Sequence, residues 1–261
     1  MRSPLEIGGR RLPFLRWSVL RMALGSRKLL RDWQVGDGRE QALADHVVAN
    51  ARRGDAGDVI RVIDDFCMTR SVMINVGDEK GEILDRAVRR ASPSLLLELG
   101  TYCGYSALRM ATAMPPGARV CSIEFSPANA EIARRIWNHA GVGDEVSVVV
   151  GTLDDGGTTI ERLRGEHGLD EGKVDFVFID HDKDAYLPDL ERILSQRWLH
   201  PGSIVVADNV RFPGAPRYRA YMQQREGSSW RTIEHQTHVE YQSLIKDLVL
   251  ESEYLGDTTG K

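Results

Sequence analysis

From about residue 36 onward, short apolar runs alternate with stretches whose apolar positions recur at helical spacing. The runs predict strands over 94–99, 119–124, 145–150, 174–180 and 203–208. The periodic stretches between them predict helices over 104–114, 127–140, 156–166 and 186–196. Strands that are apolar almost throughout, alternating with helices, indicate a parallel sheet covered on both faces, an α/β fold. Three more helical patterns precede the alternation, at 39–51, 56–70 and 79–91, with an irregular connection at Met73–Gly77. A helix near 215–226 follows it, then two strand candidates, 230–238 and 243–251, close enough in sequence to pair antiparallel at the sheet edge. Residues 36–261 thus read as one domain.

Residues 1–35 are different. Arginines interleave with Leu12, Phe14, Trp17, Leu20 and Leu24. A basic helix with an apolar side fits peripheral contact with a membrane surface, or a helix packed on its own domain or on a partner subunit. No run of 18 apolar residues is present, so no membrane span is expected, and arginines break up anything resembling a signal peptide. A length of 261 residues accommodates one large domain with a full core, and a net charge of −4 argues against nucleic acid as a partner. Three cysteines without ligand spacing point to free thiols and a reducing, cytoplasmic setting. Nothing in the pattern sets an oligomeric state.

Candidate chemistry gathers at the carboxyl ends of the predicted strands. The stretch Leu95–Ser106, LLLELGTYCGYS, reads as a buried strand, a glycine turn through Gly100 and Gly104, and a helix start. Such a turn presents free N–H groups to a ligand above the sheet, or serves only close packing. Glu124 ends the next strand, where an acid accepts hydrogen bonds from ribose hydroxyls. The glycines are not spaced as in dinucleotide-binding turns and offer no pyrophosphate cradle, which favours a nucleoside cofactor without a diphosphate. The fourth and fifth strands end in Asp180 and in Asp208-Asn209. Two carboxylates and an amide carbonyl on neighbouring strand ends are hard oxygen ligands suited to Mg2+, although Asp and Asn also simply start turns. Lys183 lies at the same rim. A lysine there is either solvated or, beside a divalent cation, able to take a proton from a coordinated hydroxyl.

In this order the chain resembles the catechol O-methyltransferase family, which is Mg2+-dependent and uses S-adenosylmethionine. The resemblance runs from about Gly36 to Gly256 through INVGDEKG, LLELGTYCGYSALRMA, SIEFSPANAEIARR, VFIDHDKDAYLPDL, ADNVRFPGAPRY and VEYQ. It implies a Rossmann-like class I methyltransferase fold: a seven-stranded, mostly parallel sheet with an antiparallel last strand and helices on both faces. It also implies that Asp180, Asp208 and Asn209 hold Mg2+, with Asp180 reaching the cofactor as well. Lys183 would be the general base and Glu240 would bind the second hydroxyl of the acceptor. Glu124 would bind the ribose, with Phe125 beside it. Gly100, Tyr102 and Ser106 would surround the methionine part, with Val76 on the same side; Gly151 would lie near the adenine, and Glu98 and His181 would be near the cofactor too. Pro213, Ile74, Asp182 and Asn209 would border the acceptor.

The sequence departs from the familiar animal pattern on the acceptor side. Val72 and Asp182 stand where tryptophans frame the slot, Ile74 where a methionine contacts the donor methyl region, and Leu153 where a serine lies near the adenine. The implied pocket is wider and more polar, and the acceptor is a catechol or a related phenol. The alternatives are a caffeoyl- or flavonoid-type vicinal diol as acceptor, a nicotinamide oxidoreductase, and a non-catalytic adaptor with the same fold. The glycine spacing disfavours the oxidoreductase, and the intact Asp180, Asp208, Asn209 and Lys183 disfavour the adaptor.

Overall fold

The computed structural model describes residues 6–7, 10–11, 37–242 and 244–256. Most of the basic N-terminal segment expected as a helix lies outside the described residues. The described part of it is a two-residue antiparallel pair, Glu6–Ile7 with Arg10–Arg11.

The main sheet has seven strands: β1 Leu95–Leu99, β2 Arg119–Glu124, β3 Val146–Val150, β4 Val174–Ile179, β5 Leu199–Ala207, β6 Trp230–His238 and β7 Lys246–Tyr254. Their order is β3-β2-β1-β4-β5-β7-β6. The first five run parallel, and β7 pairs antiparallel with both β5 and β6. This is the sheet that the resemblance implies. The helices are α1 Arg39–Asn50, α2 Ala56–Thr69, α3 Gly77–Ala91, α4 Tyr105–Ala113, α5 Pro127–Ala140, α6 Thr158–His167, α7 Tyr186–Ser195 and α8 Pro216–Gln224.

Strand β1 explains why both faces are covered. All five of its residues are buried. Leu96 joins one core with residues of α1 to α5, among them Leu43, Val59, Leu84, Leu108 and Ile136. Leu95, Leu97 and Leu99 join the other core with Leu163 of α6, Leu190 of α7 and Tyr218 of α8. Alternate residues of a strand point to opposite faces, so a continuous apolar run feeds two helix layers at once. No helix among the described residues is long and apolar enough to cross a membrane. Cys67, Cys103 and Cys121 are free and buried.

One strand is displaced from its expected place. The pattern predicts 243–251, and the observed β7 starts at Lys246. Leu244 and Ile245 read as strand because they are apolar, but their N–H groups donate to the Gln242 side-chain oxygen at 2.6 and 2.8 Å. The Gln242 amide also donates to the carbonyls of Val239 and Ile245. One side chain thus satisfies the turn backbone that a strand partner would otherwise satisfy. Strand β5 starts at Leu199, ahead of its predicted 203–208, because the chain bulges over His200-Pro201-Gly202, with Gly202 at φ +97°, and pairing with β4 moves from Val174–Leu199 to Phe176–Ile204.

Candidate active site

The sheet order reverses at β1, with β2 on one side and β4 on the other. That switch point opens a crevice at the carboxyl ends of the strands. The residues just beyond the strands form a row there, each tied to its neighbour's last rung. Gly100 N–H donates to Ile123 O at 3.0 Å, Gly151 N–H to Glu124 O at 2.9 Å, Asp180 N–H to Leu99 O at 2.9 Å and Asp208 N–H to Ile179 O at 3.0 Å. Strand ends predicted from apolar patterning therefore become one rim.

Gly100 must be glycine at this rim. Its φ is +99°, and an added Cβ would lie 2.5 Å from the Asp180 carbonyl oxygen. Gly104, with φ +82°, turns the chain into α4, and the buried Trp137 indole donates to its carbonyl at 2.8 Å. Glu124 closes the turn from the side. One carboxylate oxygen accepts from Tyr102 N–H at 2.7 Å and the other from Ser126 N–H at 2.8 Å. Burial pushes its carboxyl up, while these N–H groups oppose that. The Asn129 side chain and the Thr101 N–H donate to the same carboxylate. Phe125 follows it, 52% exposed.

Glu98 is fully buried in β1. Its carboxylate accepts from Ser106 Oγ at 2.5 Å and from Ser122 Oγ. Burial pushes it up to about 7 against those hydroxyls. Glu98 and Ser106 are therefore bound to each other beneath the turn. Tyr102, with φ +47°, sends its hydroxyl to Glu40 of α1 at 3.0 Å. Val76 is buried at the start of α3, and Ile74 is half-buried just before it.

Across the crevice, Lys183 Nζ donates to Asp180 Oδ1 at 2.9 Å, to Asn209 Oδ1 at 3.3 Å and to the Tyr186 hydroxyl. Tyr186 is itself fixed, with its hydroxyl donating to Asp208 O at 3.0 Å and its ring stacked on His181. His181 Nε2 lies 2.8 Å from Asp189 Oδ2, while its Nδ1 is buried without a partner. Glu240 lies beside Asn209, whose Nδ2 donates to Glu240 Oε1 at 3.1 Å. Gly77 backs Glu240: with φ +72°, an added Cβ there would lie 3.2 Å from Glu240 Cβ. The structure thus brings Asp180, Lys183, Asp208, Asn209 and Glu240 together. Asp182 stands apart. It is exposed, and its carboxylate accepts from Asp184 N–H at 3.1 Å as a turn residue. Pro213 is exposed on the loop after Asn209, next to Phe212, which is 47% exposed.

Two residues of this cluster escape sequence reasoning. Lys80 of α3 is fully buried, with Nζ 2.8 Å from Asp208 Oδ1, 3.1 Å from Asp247 Oδ2 and in contact with Glu240. Burial disfavours its charge, but the carboxylates of Asp208, Glu240 and Asp247 outweigh burial and raise its pKa. Asp247 of β7 is fully buried as well. The available signal is a lysine one turn ahead of Ile83 and Leu84 on the apolar face of a helix, and an acid directly before the apolar run Leu248–Leu250.

The rim is built to attract cations. The four carboxylates of Asp180, Asp208, Glu240 and Asp247 face the ammonium groups of Lys80 and Lys183. Asp208 Oδ2 is buried without any hydrogen-bond partner, and burial pushes this carboxyl up to about 7. An ionised, unpartnered carboxylate oxygen at that depth is costly unless a cation meets it. Among the described residues no three His, Cys, Asp or Glu side chains form a metal group. The set here is two carboxylates and the carbonyl of an asparagine, a donor set that suits Mg2+.

Three comparisons place the chain among known proteins. A family model described as O-methyltransferase matches residues 63–228. A probable O-methyltransferase of Mycobacterium tuberculosis, Rv1703c, is 63% identical over 235 residues, covering 90% of this chain and 100% of that protein. Catechol O-methyltransferase of Mus musculus is 39% identical over 214 residues, covering 82% of this chain and 78% of that one. Among solved structures, an O-methyltransferase from Bacillus cereus in complex with SAH shares the fold, with a TM-score of 0.61 at 21% identity over 90% of this chain and 99% of that one.

Proposed function

The chain belongs to the O-methyltransferase family, and from that premise we propose that it moves the methyl group of S-adenosylmethionine to one hydroxyl of a Mg2+-bound catechol-type acceptor. The observation that carries the reading is the convergence of Asp180, Asn209 and Lys183 beside the glycine turn, with Asp208 Oδ2 buried and unpartnered among them. The likeness to the mouse catechol enzyme supports the choice of acceptor.

Bound at this rim, S-adenosylmethionine supplies an electrophilic methyl on sulfur, and Mg2+ supplies a centre on which two vicinal hydroxyls are held and the developing phenolate is stabilised. Asp180, Asp208 and Asn209 would hold the ion. Glu124 takes the ribose hydroxyls, and Phe125 and His181 lie beside the cofactor. Val76, Gly100 and Ser106 border the methionine part. Lys183, as a neutral amine, would receive the proton of the reacting hydroxyl at Nζ, and Glu240 accepts from the other hydroxyl. Methyl transfer is an in-line displacement, so these residues work chiefly by fixing the line of approach.

The acceptor slot is the divergent part. Val72 is half-buried and Asp182 exposed at positions where the animal family carries tryptophans. A slot without those walls accepts bulkier and more polar catechols. The test is incubation with S-adenosylmethionine and Mg2+ against simple, carboxylated, caffeoyl and flavonoid vicinal diols, with products read by mass spectrometry. Methyl transfer to at least one of them is expected, and transfer to none would overturn the reading.

A further inference from the structure

We infer that Asp247 is a positioning residue that decides which end of the Asn209 side chain faces the cation. This inference rests on the reading of the rim as a Mg2+ site.

Asp247 lies on β7, which runs antiparallel to the strands that end at the rim, so the rim side chains reach it only through packing. One of its oxygens, Oδ2, accepts from Asn209 Nδ2 at 2.8 Å and from Lys80 Nζ at 3.1 Å. The other, Oδ1, accepts from the Phe212 N–H at 2.9 Å, which seats the loop carrying Pro213. One buried carboxylate thus ties together a metal-ligand candidate, the counter-charge beneath it and the acceptor-side loop.

The neighbours leave Asn209 only one orientation. On one side stand Asp247 Oδ2 and Glu240 Oε1, which can only accept when ionised. On the other side stands Lys183 Nζ, which donates to Asn209 Oδ1 at 3.3 Å. The amide therefore turns Nδ2 toward the two carboxylates and Oδ1 toward the rim. Reversed, it would aim two N–H donors at the cation, and an amide nitrogen is no ligand for Mg2+. Lys80 Nζ, itself buried, stands 3.1 Å from the same Asp247 oxygen as its counter-charge.

An asparagine at 247 cannot reproduce the arrangement. With its oxygen toward Lys80 and Asn209, its NH2 opposes the Phe212 N–H. With the NH2 toward Asn209, Asn209 must flip and present Nδ2 to the metal. Replacing Asn209 by aspartate removes this dependence, because a carboxylate has no wrong end.

The test is a double-mutant cycle on the full chain, with Mn2+ as the probe and free ion counted by electron paramagnetic resonance. Wild type, Asp247→Asn, Asn209→Asp and the double variant are compared. Thermal unfolding and S-adenosylmethionine affinity are measured alongside to show that each variant is folded. Asp247→Asn is expected to weaken Mn2+ binding about 10- to 100-fold, the range for partners that orient metal ligands. In the Asn209→Asp background the same substitution is expected to cost less than about threefold, a non-additivity that a purely structural role would not produce. Equal losses in both backgrounds, or no loss in either, would overturn the inference while leaving the cation site standing. A wild type that binds no Mn2+ would overturn the cation site and the inference together. Should Asp247→Asn not fold, Asp247→Ser goes through the same cycle and is read the same way.

Discussion

At the scale of single residues, Lys183 carries the proposed proton transfer. Its ammonium is held by Asp180, Asn209 and Tyr186, so the side chain is fixed in place before any acceptor arrives. Lys183→Ala should lower kcat by about 10²- to 10⁴-fold, the usual worth of a positioned proton acceptor. The affinity for S-adenosylmethionine, measured by calorimetry, should stay within about twofold. Turnover at the wild-type rate would remove Lys183 from the mechanism. Legibility in the sequence divides here by location. Asp180, Asp208, Asn209 and Lys183 stand at or just past strand ends, and strand ends can be read from where an apolar run stops. Lys80 and Asp247 sit inside a helix and a strand, far apart in sequence, and meet only because α3 packs under β5 and β7. No local pattern reports such a meeting.

At the scale of elements, the unit β1–turn–α4 is the proposed cofactor side of the site. Gly100→Ala would push a methyl group into the Asp180 carbonyl and force φ +99° on a residue with a Cβ. The change should abolish measurable S-adenosylmethionine binding, and retained affinity would show that the turn has more slack than its geometry allows. The same unit contains a pH-sensitive group. Burial raises the Glu98 carboxyl from an ordinary 4.5 to about 7, so the folded state holds that proton more tightly than the unfolded chain. Its contribution to stability is therefore full below about 4.5 and is lost as pH rises through about 7. Glu98→Gln should flatten the fall in Tm across that window, and an unchanged slope would assign the fall to other groups. Element boundaries were legible where apolar runs stop against glycine or proline, as at β2 and α5, both observed as expected. They were not legible at β7, where the Gln242 side chain replaces strand hydrogen bonds with turn ones.

At the scale of the whole molecule, two cores flank one sheet, and the helices of the first core carry the charges that lock it together. Arg109 of α4 grips Asp85 of α3 at 2.7 and 3.1 Å, with both side chains nearly buried. Asp85→Ala leaves that guanidinium without its carboxylate and should cost about 3–5 kcal/mol in denaturant unfolding. A loss below about 1 kcal/mol would show that water reaches the pair and screens it. Fold class was the most legible property, because alternating apolar runs admit few arrangements other than a doubly covered parallel sheet. The acceptor was the least legible, because the proposed slot falls at exposed loop residues such as Phe212 and Pro213, which no periodicity constrains. The central claim is that this sheet aligns a methyl donor with a metal-held vicinal diol. Its most direct test is the initial rate of methyl transfer to a catechol and to the matching phenol with a single hydroxyl, each with Mg2+ and with EDTA. Product is expected only from the catechol and only with Mg2+. Equal rates for the two acceptors, or an undiminished rate in EDTA, would contradict it.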